Sequence, residues 1–404
     1  MLKLRLATVL DVDEPASGHR GEQRLTVAVS ESEPTGERAA IADTSLVGPC
    51  QAGDEVIVNV EALDRGLGSG GFDVVHVNLT RGLEAPLPPT EPGAPMKLNY
   101  TSLQHSVAPV EGNGSEGAVG ALDLPLDRPV AVLALHGQLA PVAWAFGRAR
   151  PRGRLGYVQT GGGALPGGHS RTVAALRETG LLAGHITSGT AFGGEQEAVT
   201  SAGAIHHGLT ELGWDAAVCG PGPGIVGSGS RLGHGGLAAL DSAHVALALG
   251  CRTLLVARMS SADARERHRG ISHHTMTVLD LLLEPVTVAL PAGMRSPVGS
   301  ELRAGLGAVF GQAGGGGRTA RPSPALDAER PARITRHDWL RAEVDLPGYA
   351  ASGLPAETMG RGIAEDPLFF GAALAAGGAL AGLADERQAV ELEAAAEDGG
   401  IEAA

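Results

Sequence analysis

Eleven residues, RERHRGISHHT at 265–275, hold three of the chain's 14 histidines and three arginines. Such a concentration supports three kinds of chemistry. Arg265, Arg267 and Arg269 can clamp a phosphate or carboxylate through their forked donors. His268, His273 or His274 would then serve as acid or base near neutral pH. Alternatively, His268, His273 and His274 form part of a metal site. They lack a standard zinc spacing, but His136, His169, His234, Asp263 and Glu195 are candidates to join them in space. Neighbouring arginines oppose a bound cation. The third alternative is a solvated polar loop.

Two glycine-rich stretches add to the inventory. GPGIVG (222–227) has the G-x-G-x-x-G spacing that lets backbone N–H groups approach a pyrophosphate, with Gly222, Gly224, Gly227 and the following Ser228 as contacts. Pro221 and Pro223 remove two donors, and no acidic residue ends the next strand, since Asp263 comes too late. A plain turn or an anion cradle therefore fits better than a dinucleotide fold. GGGALPGG (161–168) offers Gly162 and Gly163 in the same ambiguous way. Glu195 and Glu197 are placed at a helix start, where they suit the helix dipole; either one could act as base or ligand. Asp241 and His244, three apart, read as a surface pair. Cys219, with no base in sequence reach, reads as a small buried residue. Ser228 and Ser230 lie outside any G-x-S-x-G elbow, so a serine hydrolase has little support.

These residues need a frame to bring them together. Short β-branched runs (KLRLATVLDV, EQRLTVAVSE, EVIVNVEAL, FDVVHVNLT) predict a small β-barrel-like domain over 1–83. A proline-rich linker and connecting segment covers 84–129. From 130 to 295, strands at 130–137, 154–160, 184–189, 215–220, 252–259 and 286–290 alternate with helices at 170–182, 195–212, 236–249 and 275–283. This rhythm predicts an α/β domain with an open, mostly parallel, doubly wound sheet. A Gly/Pro excursion (296–332), a C-terminal helical segment packed on the sheet (333–385) and an acidic, disordered tail (386–404) complete the division. In such a sheet, ligands bind beyond the carboxyl ends of the strands. His136, the loops at 160–170, 188–200 and 220–236, and the 260–275 stretch all follow a strand. The opposite edge carries short, plain connections.

Composition narrows the class. The formal charge of −14 argues against nonspecific nucleic-acid binding, while leaving room for a local basic site. Lysine occurs only at Lys3 and Lys97, so arginine supplies nearly all the positive charge. The three dispersed cysteines and the polar N-terminus predict a reduced, cytoplasmic protein without a signal peptide. The apolar stretch 368–384 reads as a buried helix rather than a membrane span. The expected partner is a small anionic metabolite, with no nucleic acid and no membrane; homo-oligomerisation stays open, and no cofactor is specified.

Together, GALPGGHS, TSGTAFGGEQEAV, GPGPGIVGSGS, ADARERHRGISHHT and TMGRGIAEDPLFF (358–370) resemble the bacterial domain-of-unknown-function family numbered 3866, across nearly the whole chain. The resemblance implies a shared architecture and no established activity. Within the last motif, Arg361 either returns to the site as a further anion donor or pairs with Asp366 in a packing turn. The reading these residues favour is an enzyme acting on a small anionic, phosphorylated or nucleotide metabolite. A non-catalytic ligand-binding protein and a metal-dependent hydrolase are the alternatives.

Overall fold

In the computed structural model the described residues are 2–13, 21–30, 36–66, 70–83, 94–112, 122–293 and 333–399, with side chains described to residue 386. The expected excursion 296–332 and most of the proline-rich linker lie outside them. The N-terminal strands β1 (Leu4–Val12), β2 (Glu22–Val29), β3 (Glu37–Asp43), β4 (Glu55–Asn59) and β5 (Asp73–Asn78) close into a barrel in the order β1-β2-β3-β5-β4. Side chains in a strand alternate between faces. Ala7 and Val9, Leu25, Val27 and Val29, Ala40 and Ala42, Val56 and Val58, and Val75 thus fill the interior. Short helices α1 (Thr44–Val47) and α2 (Glu61–Asp64) bridge its strands. A two-residue hairpin, β6 (Met96–Lys97) with β7 (His105–Ser106), follows.

The second domain is an eight-stranded, all-parallel sheet. Its strands are β8 (Pro129–Val132), β9 (Leu155–Thr160), β10 (Gly184–Ser188), β11 (Gln196–Ala198), β12 (Ala216–Pro221), β13 (Arg252–Leu255), β16 (Thr287–Pro291) and β17 (Asp338–Ala342). They lie in the order β11-β10-β9-β12-β8-β13-β16-β17. Helices cover both faces. On one face, α5 (Ser201–Thr210), α6 (Ala238–Ala248) and α7 (His273–Leu281) pack on Val130, Val132, Ala217, Cys219 and Leu255. On the other, α3 (Leu139–Ala149), α4 (Arg171–Glu178), α8 (Leu346–Ala350) and α9 (Pro367–Gly399) pack on Ala131, Leu133, Ala216, Val218 and Leu254. The two-residue alternation explains why these strands read as continuous apolar runs. Within α9, Pro367–Glu386 is long and apolar enough to cross a membrane, with mean hydropathy 1.7, yet 67% of its most apolar window is buried in the fold.

Four expectations change. The segment expected to begin a helix at 195 forms β11 instead, with Gln196–Ala198 pairing along β10, and α5 starts only at Ser201, capped by Thr200. The 333–385 segment, read as helical, also supplies β17, whose DWLRA pairs with β16. The strand expected over 252–259 breaks after Leu255; Met259–Ser260 (β14) instead pairs antiparallel with Gly270–Ile271 (β15). The expected disordered tail is helical in its backbone to Gly399, because it continues α9.

Gly156, Gly184 and Gly208 clear a slot for the fully buried Trp214. A Cβ at Gly156 would lie inside the indole ring, so neither partner can relax cheaply. Gly156→Ala is expected to cost about 1–3 kcal/mol, read as a lower denaturation midpoint. An unchanged midpoint would mean that the slot has slack.

Candidate functional site

The chain leaves β8 toward β9 on one side and later passes from β12 to β13 on the other. This reversal opens a crevice beyond the carboxyl ends of β12, β8 and β13, where parallel sheets bind ligands. Gln138 braces its floor: its Oε1 accepts from the Ala134 and Leu135 N–H groups, and its Nε2 donates to the Ala257 carbonyl at 3.1 Å. The ends of β8 and β13 are thereby tied together.

Each strand end contributes a segment. After β8, a short turn carries His136. After β12, the glycine-rich loop folds back on itself through a bridge between Gly227 and His234, which returns His234 to the crevice. After β13 come Arg258, the β14–β15 hairpin and α7. Ser272 caps α7 by accepting from the His274 N–H, and its Oγ also bonds His268 Nδ1 at 2.8 Å. The cap therefore fixes three histidines through local geometry.

These segments enclose a cavity of about 520 Å³ lined by His136, residues 222–229, His234, Arg258, Arg265, Arg267, His268, His274 and the turn Glu357–Met359. Four imidazoles meet beside it. The rings of His234 and His274 stack at 3.5 Å, and His273 contacts His234, His268 and His274 with centroids 4.3–5.6 Å apart. Arg258, 4% exposed, donates Nη1 to His274 Nδ1 at 2.8 Å. An arginine only donates, so His274 Nδ1 is an acceptor and Nε2 carries the proton.

Asp263 holds the arginines in place. It takes a bidentate pair of bonds from Arg265 at 3.0 Å and stands 3.6 Å from both Arg258 and Arg361. Burial alone would raise its pKa, but the Arg265 bonds hold it far below the carboxylate range. Burial, and then the Arg265 charge, lower Arg258 to about 10, so it remains a cation at neutral pH. Burial followed by the Arg258 charge pushes His234 down to about 4 and His268 to about 3. Burial, His234 and Arg267 push His273 to about 4, and His274 is held lower still. The cluster is neutral at physiological pH inside a positive field.

Several donors and acceptors here have no protein partner among the described residues. Both nitrogens of His234, Nε2 of His273 and Nε of Arg267 are buried without a hydrogen bond. Buried polar atoms rarely stay unpaired.

The expected residues divide into three groups. His136, His268, His274, Gly222, Gly224, Gly227, Ser228, Arg265 and Arg267 line the cavity, and His273 joins the imidazole cluster. Asp263 serves as counter-charge, Arg269 donates to the Asp263 carbonyl at 2.9 Å, and Arg361 bonds Asp366 at 3.2 Å, as in the packing-turn alternative. Gly162 and Gly163 pack under the second glycine loop, against Pro221 and Pro223. Glu195 lies in another cleft, paired with Arg177 at 2.8 Å; the extended backbone at β11 turns it away from the histidines. His169 faces Asp43 of the barrel at 3.4 Å. Arg258 has no counterpart among the expected residues; an arginine inside the apolar run LLVARM is the available signal for it. Met359, from the TMGR turn, lines the cavity, and its sulfur accepts from Arg258 at 3.6 Å.

Among the described residues, His234, His273 and His274 have ligand nitrogens within 4.8 Å of one another and are the group that could hold a metal. As arranged they do not fit one. The His234 and His274 planes are 9° from parallel, so no point near both nitrogens lies in both ring planes. Arg258 also occupies His274 Nδ1 and adds opposing charge.

Fold and site together define an α/β protein with an arginine- and histidine-lined cavity at the switch point of a parallel sheet. The chain belongs to the family described as "Protein of unknown function (DUF3866)", which it matches over residues 39–377, from the barrel into α9. No curated protein and no solved structure matches it.

The depressed histidines set a pH dependence. Below the ordinary value of 6.5 an unfolded histidine takes up a proton, whereas His136, His234 and His273 do so in the folded protein only near 4. Stability is therefore expected to fall as pH drops from 6.5 toward 4. Denaturant midpoints across this range check it, and His268→Gln should flatten the slope.

Proposed function

We propose that the cavity binds a small anionic metabolite, phosphorylated or a nucleotide, and that the protein is an enzyme acting on it through histidine acid–base chemistry. The carrying observation is the unpartnered buried Nε of Arg267, beside the unpartnered nitrogens of His234 and His273, in a cavity bearing Arg258 and Arg265. Forked arginine donors match the oxygens of phosphate or carboxylate. The glycine-rich loop leaves backbone exposed for further N–H contacts. An anion would offset the arginine field, which raises the imidazole pKa values toward neutrality and converts idle bases into usable acids and bases. His273 and His268 are the assigned acid–base groups, and Arg267 and Arg265 the anion donors. The three buried thiols, Cys50, Cys219 and Cys251, support a reducing compartment such as the cytoplasm.

A thermal-shift screen of inorganic phosphate, pyrophosphate and phosphorylated metabolites tests the reading. A ligand at 100 times its Kd adds about 2.7 kcal/mol of stability. Arg267→Met is expected to weaken that ligand about ten- to hundredfold. His273→Gln should retain binding but abolish turnover. Stabilisation without turnover in the wild type would make the protein a non-catalytic binder. One equivalent of metal in chelator-free protein, lost in His273→Gln, would favour the metal-dependent hydrolase instead.

A further inference from the structure

Away from the imidazole cluster, a second set of polar groups is wired in a different sense. Ser170 Oγ lies 2.7 Å from His136 Nε2. His136 Nδ1 lies 3.2 Å from the Tyr157 hydroxyl. The Tyr157 hydroxyl in turn donates to the Pro221 carbonyl at 3.1 Å and to the Gly220 carbonyl at 3.2 Å.

With the Tyr157 proton on one of the two carbonyls, its oxygen accepts from His136. Nδ1 of His136 then carries the ring proton, and Nε2 presents its lone pair to Ser170. This is the tautomer that a nucleophile's base requires, with a third group orienting the ring. Ser170 is the N-cap of α4, where its Oγ accepts from the Val173 N–H at 3.2 Å. The Arg171 and Thr172 N–H groups begin the helix and have no carbonyl four residues back within it. Ser170 also lines a separate cavity of about 290 Å³, with Gly167, Gly168, Gly193, Gly194 and His185 on its wall. His136 faces the anion cavity on its other side.

An N-cap serine needs only its Val173 bond. A hydrogen bond to the unprotonated nitrogen of a buried, tyrosine-oriented histidine, at a cavity wall, goes beyond capping. We infer that Ser170 is a nucleophile activated by His136 and positioned through Tyr157, and that the smaller cavity takes an ester or thioester. In the first half, Oγ bonds to the acyl carbon and its proton passes to His136 Nε2. The C–O or C–S bond then breaks, and the leaving group takes that proton. In the second half, His136 deprotonates water, which attacks the acyl carbon, and Ser170 departs with the proton. The donors nearest in sequence to Ser170 for the oxyanion of such an attack are the first-turn N–H groups of α4. This inference stands independently of the anion cavity's occupant.

A fluorophosphonate probe tests it on the intact protein. The Oγ–P bond forms, the P–F bond breaks, fluoride leaves, and the proton goes to His136. Peptide mass spectrometry is expected to place the adduct on Ser170. Labelling should vanish in Ser170→Ala and fall at least a hundredfold in His136→Gln. Tyr157→Phe, with melting temperature unchanged, should slow labelling about tenfold and move the midpoint of its pH profile downward, since the imidazolium loses its acceptor. The wild type should also hydrolyse p-nitrophenyl acetate, with a burst of one equivalent that Ser170→Ala lacks. No adduct on Ser170 overturns the inference. So does equal labelling in folded His136→Gln, and if that variant does not fold, an unaltered rate and pH profile in Tyr157→Phe does so.

Discussion

A single buried carboxylate makes the cavity possible. Asp263, 2% exposed, is the shared counter-charge of Arg258, Arg265 and Arg361. Without it, three guanidinium groups would crowd one crevice wall with nothing to offset their repulsion or their desolvation. With it, arginine charge concentrates where four imidazoles also meet. Burial, reinforced by that charge, keeps the imidazoles neutral, and neutrality lets their rings stack. Asp366 repeats the device one layer out. It accepts from Ser260 Oγ and the Ser261 N–H, and pairs with Arg361, which binds the loop after β14 to the start of α9. The site is an alternation of fixed charges, and each layer orients the next.

Topology decides which loops join. The eight parallel strands of the sheet end at one edge, but only the loops after β8, β12 and β13 surround the switch point. The loops after β9 and β10 lie to one side, where Ser170, Arg177 and Glu195 line the smaller cavity. His136 lines the larger cavity and reaches the wall of the smaller one through its bond to Ser170. The residue that links the two cavities thus comes from the strand at which the chain reversal occurs.

Much of this was legible in the sequence. The two-residue alternation in the barrel and the apolar runs of the sheet are set by local side-chain geometry, so the strands and the α/β class could be read directly. The 265–275 stretch pointed to the cavity wall because so many arginines and histidines in eleven residues are unusual in an acidic chain, and Arg265, Arg267 and His268 line that cavity. Other features depend on partners far along the chain. QEA at 196–198 forms a strand only because the edge of β10 needs a neighbour, and DWLRA only because that of β16 does. Glu195 looked like a helix-capping acid and is instead an ion-pair partner of Arg177. The Ser170–His136–Tyr157 chain joins the turn after β8 to the β9–α4 segment, and no spacing within either segment encodes it.

The helix α9 has a consequence for how the protein assembles. Phe369, Phe370, Leu374 and Leu380 cover the same sheet face as α3, and β17 pairs with β16 from the far side of residues 294–332. As the chain is made from its N-terminus, β8, β9 and β12 can pair long before their final cover arrives. One apolar face is then covered only by α3 and α4 until more than sixty residues after β16 have followed. Docking of α9 closes a long loop and seals the core in the same event, so it belongs among the late, slow steps of folding. Until then the nascent sheet presents the kind of surface that chaperones bind and that aggregates share.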